Sequence, residues 1–376
     1  MEANKLSFKN IADRISTFSP FKAISKSFLG IDVGTSSVKI IEISSWGERK
    51  KLENYGEIMA TSIYEEPFRT FDKNTLLFSN KNIARAIMAI LEESKTSCRK
   101  AIFSIPDFSS FFTNFELPTM TEEELAQAVV FEAKRHVPLP LGEVTLDWQV
   151  INENNDKKTN QKSKILLVAV PNEIIGQYKN IAEMAGLELI ALEAEVFGLL
   201  RSLAQQEKKP VALIDIGAQT STCSIIEMGT LRTSHSFDLS GNKLTEIVSK
   251  SLSIEYAEAE KLKNKYGILN NDGLKEAERT KEIILPLIDI ILREIEKVCD
   301  DFNDIEGRQV EKIILAGATA LLPGLKDYTQ DYLKKRTELA NPFSDIFYPP
   351  ILEQKLKRMG PSFAIATGMA LRGVSQ

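Results

Sequence analysis

Two stretches of this chain share one pattern: an apolar, β-branched run ending in Asp, a glycine turn, and a second apolar run. The first is Phe28–Ile43, where Asp32 precedes Gly34, Thr35, Ser36 and Ser37. The second is Val211–Ile226, where Asp215 precedes Gly217, Ala218, Gln219, Thr220 and Ser221. Each reads as strand, tight polar turn, strand. Glycine lets the backbone come close to a ligand, and the hydroxyls and N–H groups of such a turn bind anions. One hairpin of this kind is ordinary. Two, each led by a strand-end Asp, point to a duplicated α/β fold gripping one polyphosphate from both sides.

The spacing carries chemistry. Lys39 lies two residues after Ser37, on the same strand face, so its ammonium can meet the same phosphate as a point charge. Asp32 and Asp215 suit hydrated Mg²⁺, which keeps most of its waters and needs one or two protein carboxylates. The glycine pattern of a P-loop is absent, as is that of a dinucleotide-binding turn. A third stretch, Leu315–Leu325, puts Gly317, Ala318 and Thr319 after a buried strand. Residues this small let a nucleoside lie flat on backbone, although alone they would pass for a tight strand-to-helix turn. Glu260 and Lys263 are three apart on one helix face, within reach of a ribose and a base. In isolation they would read as a solvated face.

The 376 residues leave room for two domains or several subdomains with ample core. A net charge of −5 excludes a whole-molecule electrostatic nucleic-acid binder. No apolar run approaches the ~20 residues needed to span a bilayer, and the first residues lack the apolar core of a signal peptide. Three scattered cysteines fit a reducing interior, and His136 and His235 without paired Cys argue against structural zinc.

Residues 1–27 form a mildly basic prefix in which Phe8, Ile11, Ile15 and Phe18 follow helical spacing. It reads as a loosely docked end, with a membrane-surface helix as the alternative. The first lobe continues through strands at Glu53–Met59 and Lys100–Ile105 and a helix near Asn80–Lys95. Thr121 and Glu124 form a capping box that starts a helix running to about His136. Strands at Thr145–Ile151 and Lys164–Val170 flank a polar tip, Asn152–Ser163, and a helix near Glu173–Ala185 follows. In the second lobe, helices are expected at Gly241–Leu252, Ile254–Tyr266, Lys275–Phe302 and Pro361–Arg372, with a strand at Lys312–Gly317. The resulting division is 1–27, 28–106, 107–187 as an α+β insert, 188–209 as return and connector, 210–245, 246–308 and 309–376.

Together these motifs resemble the actin-like ATPase superfamily over nearly the whole chain from Phe28 to Arg372. The resemblance implies an actin-like (ribonuclease H-like) duplicated two-lobe α/β fold with a 1C insert. It divides the chain into subdomains 1A, 1C, 2A and 2B, and implies ATP and Mg²⁺ as ligands. Within it, two stretches are similar to the PilM branch of type IV pilus assembly proteins: Leu117–Pro140 and Val168–Leu199. That branch implies a cytoplasmic scaffold recruited to the inner face of the membrane by the tail of a PilN-like inner-membrane protein. Pilus assembly ATPases and further copies of the chain join the expected partners, and nucleic acid does not. The resemblance implies a groove between 1A and 1C for the tail; Phe108, Phe111, Val129, Ala133 and Val137 are the candidates to wall it, the alternative being that they pack the insert's own core. Hydrolysis is expected to be slow, with Glu195 as the residue that orients water. The turn at Gly317-Ala318-Thr319 departs from the family's usual Gly-Gly-Ser or Gly-Gly-Ala. The alternatives are an FtsA-like division protein, whose terminal membrane helix has no counterpart after Arg372, and an actin-fold small-molecule kinase.

Overall fold

The computed structural model describes residues 26–62, 67–72, 75–151, 162–269 and 273–375. Nearly all of the prefix and of the polar tip within the insert lie outside the described residues. The first lobe opens with β1 (Lys26–Val33), β2 (Ser37–Trp46) and β3 (Arg49–Met59). A small hairpin, β4 (Arg69–Asp72) and β5 (Thr75–Phe78), then leads to α1 (Asn80–Glu93) and β6 (Lys100–Ile105). Next come β7 (Phe111–Pro118), α2 (Glu122–His136), β8 (Val144–Ile151), β9 (Lys162–Pro171) and α3 (Asn172–Met184). The chain returns through β10 (Glu188–Ala194) into α4 (Glu195–Leu199), which widens into a π-helical turn at Leu200–Ala204. The second lobe holds β11 (Val211–Ile216), β12 (Ser221–Glu227), β13 (Thr230–Phe237), α5 (Gly241–Leu252), α6 (Tyr256–Tyr266) and α7 (Lys275–Glu306). It closes with β14 (Lys312–Ala316), α8 (Leu325–Leu333), β15 (Arg336–Leu339) and α9 (Glu353–Val374).

The two lobes repeat one sheet. The first runs β3-β2-β1-β6-β10 and the second β13-β12-β11-β14-β15. In each, the hairpin and its third strand are antiparallel, and the last two strands run parallel to the first. The apolar runs are buried on both faces because helices cover both sides, as parallel strands require. In the insert, the three strands order as β7-β9-β8 beneath α2. Its α2 begins with the expected capping box: Thr121 accepts from the Glu124 N–H, and the Glu124 carboxylate accepts from the Thr121 N–H. By contrast α3 sends Ile174, Tyr178 and Ile181 into the core of the first lobe.

Helix α9 starts two turns earlier than Pro361, because Leu356 is anchored among Phe343, Ile346 and Phe363. It then packs on β1, β2 and β6 and crosses α4. Both contacts need glycine. A Cβ on Gly30 would lie 1.9 Å from the Ala366 carbonyl oxygen, and one on Gly368 would lie 1.9 Å from that of Gly198. Arg201 fastens the crossing by donating to both oxygens of Glu193 at 2.7 and 2.8 Å and to the Gly368 carbonyl at 3.0 Å. Arg372 adds an ion pair to Glu193 at 3.0 Å. The core here mixes the lobes: Ile102 and Ala191 pack with Leu213, Ile314 and Met369.

Because backbone meets backbone at this crossing, Gly368→Ala should cost about 3 kcal/mol in denaturant unfolding. Gly142→Ala, where a Cβ meets open space, should change stability by less than about 0.5 kcal/mol. Equal effects of the two would contradict the packing described.

Candidate functional site

The parallel strands β1, β6, β11 and β14 all end at one cleft, the place where open α/β sheets bind ligands. Each hairpin delivers its turn there. The Gly34 N–H donates to the Ser37 carbonyl at 2.8 Å, and the Gly217 N–H to that of Thr220 at 3.0 Å. Register places Asp32 opposite Lys39 and Asp215 opposite Thr222. Lys39 is buried, with its Nζ 3.9 Å from Asp32 and 3.7 Å from Glu57. Ser104, at the end of β6, donates to Asp32 at 2.8 Å. The first turn is held from outside, since Ala60 and Phe68 donate to the carbonyls of Ser36 and Thr35 at 2.8 and 3.0 Å. Thr35 and Ser37 are therefore buried, and Ser36 is half-buried.

The second turn is held by α5. Gly241 and Asn242 donate to the Gly217 and Ala218 carbonyls at 2.9 and 3.0 Å. The Gly317 turn closes on it: a Cβ there would lie 2.6 Å from Asp215 Oδ1 and 2.4 Å from the Ile216 carbonyl oxygen. Gly317 also has φ of +84°, a conformation that favours glycine. A Cβ on Gly241 would lie 2.4 Å from Thr319 Oγ1, so this glycine admits the third motif against the second. Gly217, Gln219, Thr220, Gly317 and Thr319 are half-buried, Ala218 is likewise half-buried, and Ala318 is exposed. Ser221 is spent on the Leu239 carbonyl. Lys263 is buried and donates to Thr245 at 2.6 Å and the Gly241 carbonyl at 3.1 Å, which ties α6 to α5. Burial lowers its pKa. Glu260 stays half-buried on the same helix.

Between the turns lies a cluster invisible to the motifs. Asp107 follows Pro106 at the end of β6, and its carboxylate accepts the Val196 N–H at 3.1 Å. Glu195 returns the contact by accepting the Asp107 N–H at 3.3 Å. The other Glu195 oxygen lies 3.6 Å from Arg69 Nη1, and both side chains are buried. Burial raises Glu195, the neighbouring Asp32 adds to the rise, and Arg69 opposes it. Burial, then Glu195 and Asp215, push Asp107 well above the usual carboxyl range. Burial, then Glu195 and Asp32, push Asp215 up to about 7. Glu195 thus sits at the cleft as expected, but clasped by two neighbours. Asp107 had a faint signal, an acid just past a strand that pairs with β1. Arg69 had none.

The expected groove wall is corrected. Val129 and Ala133 are fully buried and Val137 nearly so, packed against Leu125, Ile165 and Leu167. That face of α2 closes the core of the insert. Phe108 stays half-buried beside Arg69, and Phe111 is exposed at the start of edge strand β7.

A family model described as type IV pilus assembly protein PilM matches residues 30–374. A solved PilM–PilN type IV pilus biogenesis complex is similar at a TM-score of 0.78, with 23% identity, over 92% of this chain and 98% of that one. Cell division protein FtsA of Bacillus subtilis (strain 168) is 22% identical over 84% of this chain and 78% of its own length. MreB5 of Spiroplasma citri bound to AMPPNP superposes at 0.52 with 13% identity, over 92% and 95%. The likeness to these solved structures establishes the actin-like fold.

The raised carboxyls have a pH consequence. They bind protons more tightly folded than unfolded, so their support for the fold is full below the ordinary Asp value of 3.8 and is lost as pH rises through about 7. The melting temperature of the nucleotide-free protein should fall between about pH 5 and pH 8, and Asp215→Asn should flatten part of that fall. A wild-type profile flat over this window would refute the electrostatics described.

Proposed function

The chain belongs to the type IV pilus assembly protein PilM family, and from that premise we propose that it is an ATP-binding scaffold of a pilus assembly platform. The observation that carries the reading is the meeting of two Asp-led hairpins and the Gly317 turn at the carboxyl ends of four parallel strands. In this reading Gly34–Ser37 and Gly217–Ser221 cradle the phosphates, and Lys39 neutralises one of them. The nucleoside rests on Gly317, Ala318 and Thr319, near Glu260 and Lys263. Asp32 and Asp215 would hold Mg²⁺ through its waters. The fit is electrostatic: Asp32, Asp107, Glu195 and Asp215 surround Lys39 and Arg69, so a divalent cation arriving with the nucleotide offsets an excess of carboxylates. Among the described residues no group of three or more acids, His or Cys is arranged to hold a metal directly.

Glu195 is committed to Arg69 and to the Asp107 N–H, which supports slow turnover. Phosphate release is expected below ~1 s⁻¹, the low end for enzymes. Asp32→Ala and Asp215→Ala should each weaken Mg-ATP by roughly tenfold or more in calorimetry. Unchanged affinity in both would remove the site assignment, and fast turnover dependent on Glu195 would replace the scaffold with an enzyme.

The partner in this reading is the cytoplasmic tail of a PilN-like membrane protein, which would place the chain at the inner face of the membrane. Among the described residues no helix is long and apolar enough to cross it. The half-buried Phe108 and exposed Phe111 stand at the root of the insert, and an extended tail suits a strand edge with apolar pockets. Phe111→Ser should weaken capture by an N-terminal peptide of such a protein at unchanged melting temperature. Val129→Ala should instead cost about 2 kcal/mol of stability. Full capture by Phe111→Ser would move the partner site elsewhere.

A further inference from the structure

Arg69 follows Phe68, whose N–H bonds the first phosphate turn at Thr35, and its side chain is only 7% exposed. It turns beneath Glu195, with Nη1 3.6 Å from the carboxylate. The Phe108 ring lies 5.7 Å from the guanidinium, and the fully buried Tyr178 faces it from the core side. Neither Nε nor Nη1 has a hydrogen-bond partner among the described residues. Burying a guanidinium costs more than one loose ion pair returns. Its charge is nonetheless retained, because Glu195, Tyr178 and Asp32 together outweigh the burial. Core packing by itself is therefore a poor reason for a cation at this position, since it is the anionic groups around it that hold its charge.

The cleft supplies a better one. Asp32, Asp107, Glu195 and Asp215 act on one another across it. Lys39 is already shared between Asp32 and Glu57. A polyphosphate entering such a field is repelled unless a further cation offsets it. The geometry points to Arg69 as a positioning residue of the nucleotide site: it neutralises Glu195 from below and holds it, with the Asp107 N–H, so that the cleft accepts the terminal phosphate. Arg69 acts through Glu195 and does not touch the nucleotide. This inference rests on the reading of the cleft as an ATP site.

The test is a double-mutant cycle in the full-length chain, with ATP and ADP affinities measured by calorimetry at fixed Mg²⁺. Arg69→Met should weaken ATP roughly tenfold, the order expected for one unit charge across a partly desolvated cleft, and weaken ADP less. Arg69→Met with Glu195→Gln should regain most of the loss, since the uncompensated carboxylate is gone. Arg69→Lys should lie nearer wild type than Arg69→Met. Glu195→Gln alone, which leaves the buried cation unopposed, should bind ATP more tightly than wild type, and it decides the matter if Arg69→Met fails to fold. Equal loss of ATP and ADP, a double variant as weak as Arg69→Met while melting cooperatively, or a Glu195→Gln variant with unchanged or weaker ATP binding would each assign Arg69 to packing and overturn the inference. A wild-type chain that binds no ATP would overturn the underlying reading, and the inference with it. Normal wild-type binding with indifferent Arg69 variants would overturn the inference alone.

Discussion

The contact of Gly198 with Gly368 sets how closely the lobes approach. No side chain separates α4 from α9 there, so the two connectors cross backbone on backbone. Everything at the cleft is referred to that distance. Glu195 begins α4, three residues before Gly198, and the Pro361 carbonyl in α9 accepts the Gly317 N–H at 2.9 Å. The helix that crosses the lobes therefore also seats the third turn. A wider crossing would part Asp215 from Glu195 and Asp32, and their mutual electrostatic coupling would weaken with distance.

Duplication explains the rest of the cleft. Two sheets of the same order present the carboxyl ends of their parallel strands to each other. The repeats have diverged in chemistry, however. The first hairpin carries a buried Lys39 opposite its Asp, while the second carries Thr222 and leans on α5 and the Gly317 turn. At the first parallel strand's neighbour the corresponding end is Pro106-Asp107, and at the second it is Gly317. One side thus offers charge and the other a close approach of backbone.

The insert belongs to this system by contact on both sides. Its root, Asp107 to Ser110, is clasped to α4 through Glu195 and Val196. Its strands reach the second lobe, where the Asn114 side chain donates to the Arg232 carbonyl at 2.7 Å and Lys164 pairs with Glu306 at 2.6 Å. Phe112 also lies against Phe197 of α4, with ring centroids 6.3 Å apart. The insert is a small independent core around Val129, Ile165 and Leu167 mounted on both lobes at once.

Local pattern determined much of this protein. Strand-end Asp and glycine turns marked both hairpins, the Thr121–Glu124 pair marked the start of α2, and small residues marked the third turn, because turns and caps depend on neighbours in the chain. The motifs also brought Asp32, Lys39 and Asp215 into one site, and the position of Glu195 at the start of the connecting helix pointed it there too. Pattern failed where one signal served two ends. Val129, Ala133 and Val137 at helical spacing specify an apolar face, but a face that lines a groove and one that closes a core are written identically. Only the strands packed beneath α2 decided between them. Arg69 and Asp107 were likewise settled by tertiary structure, which brings β4, the end of β6 and the start of α4 together from distant parts of the chain. A buried charge acquires its meaning from the charges around it, and no spacing in the sequence records which those are.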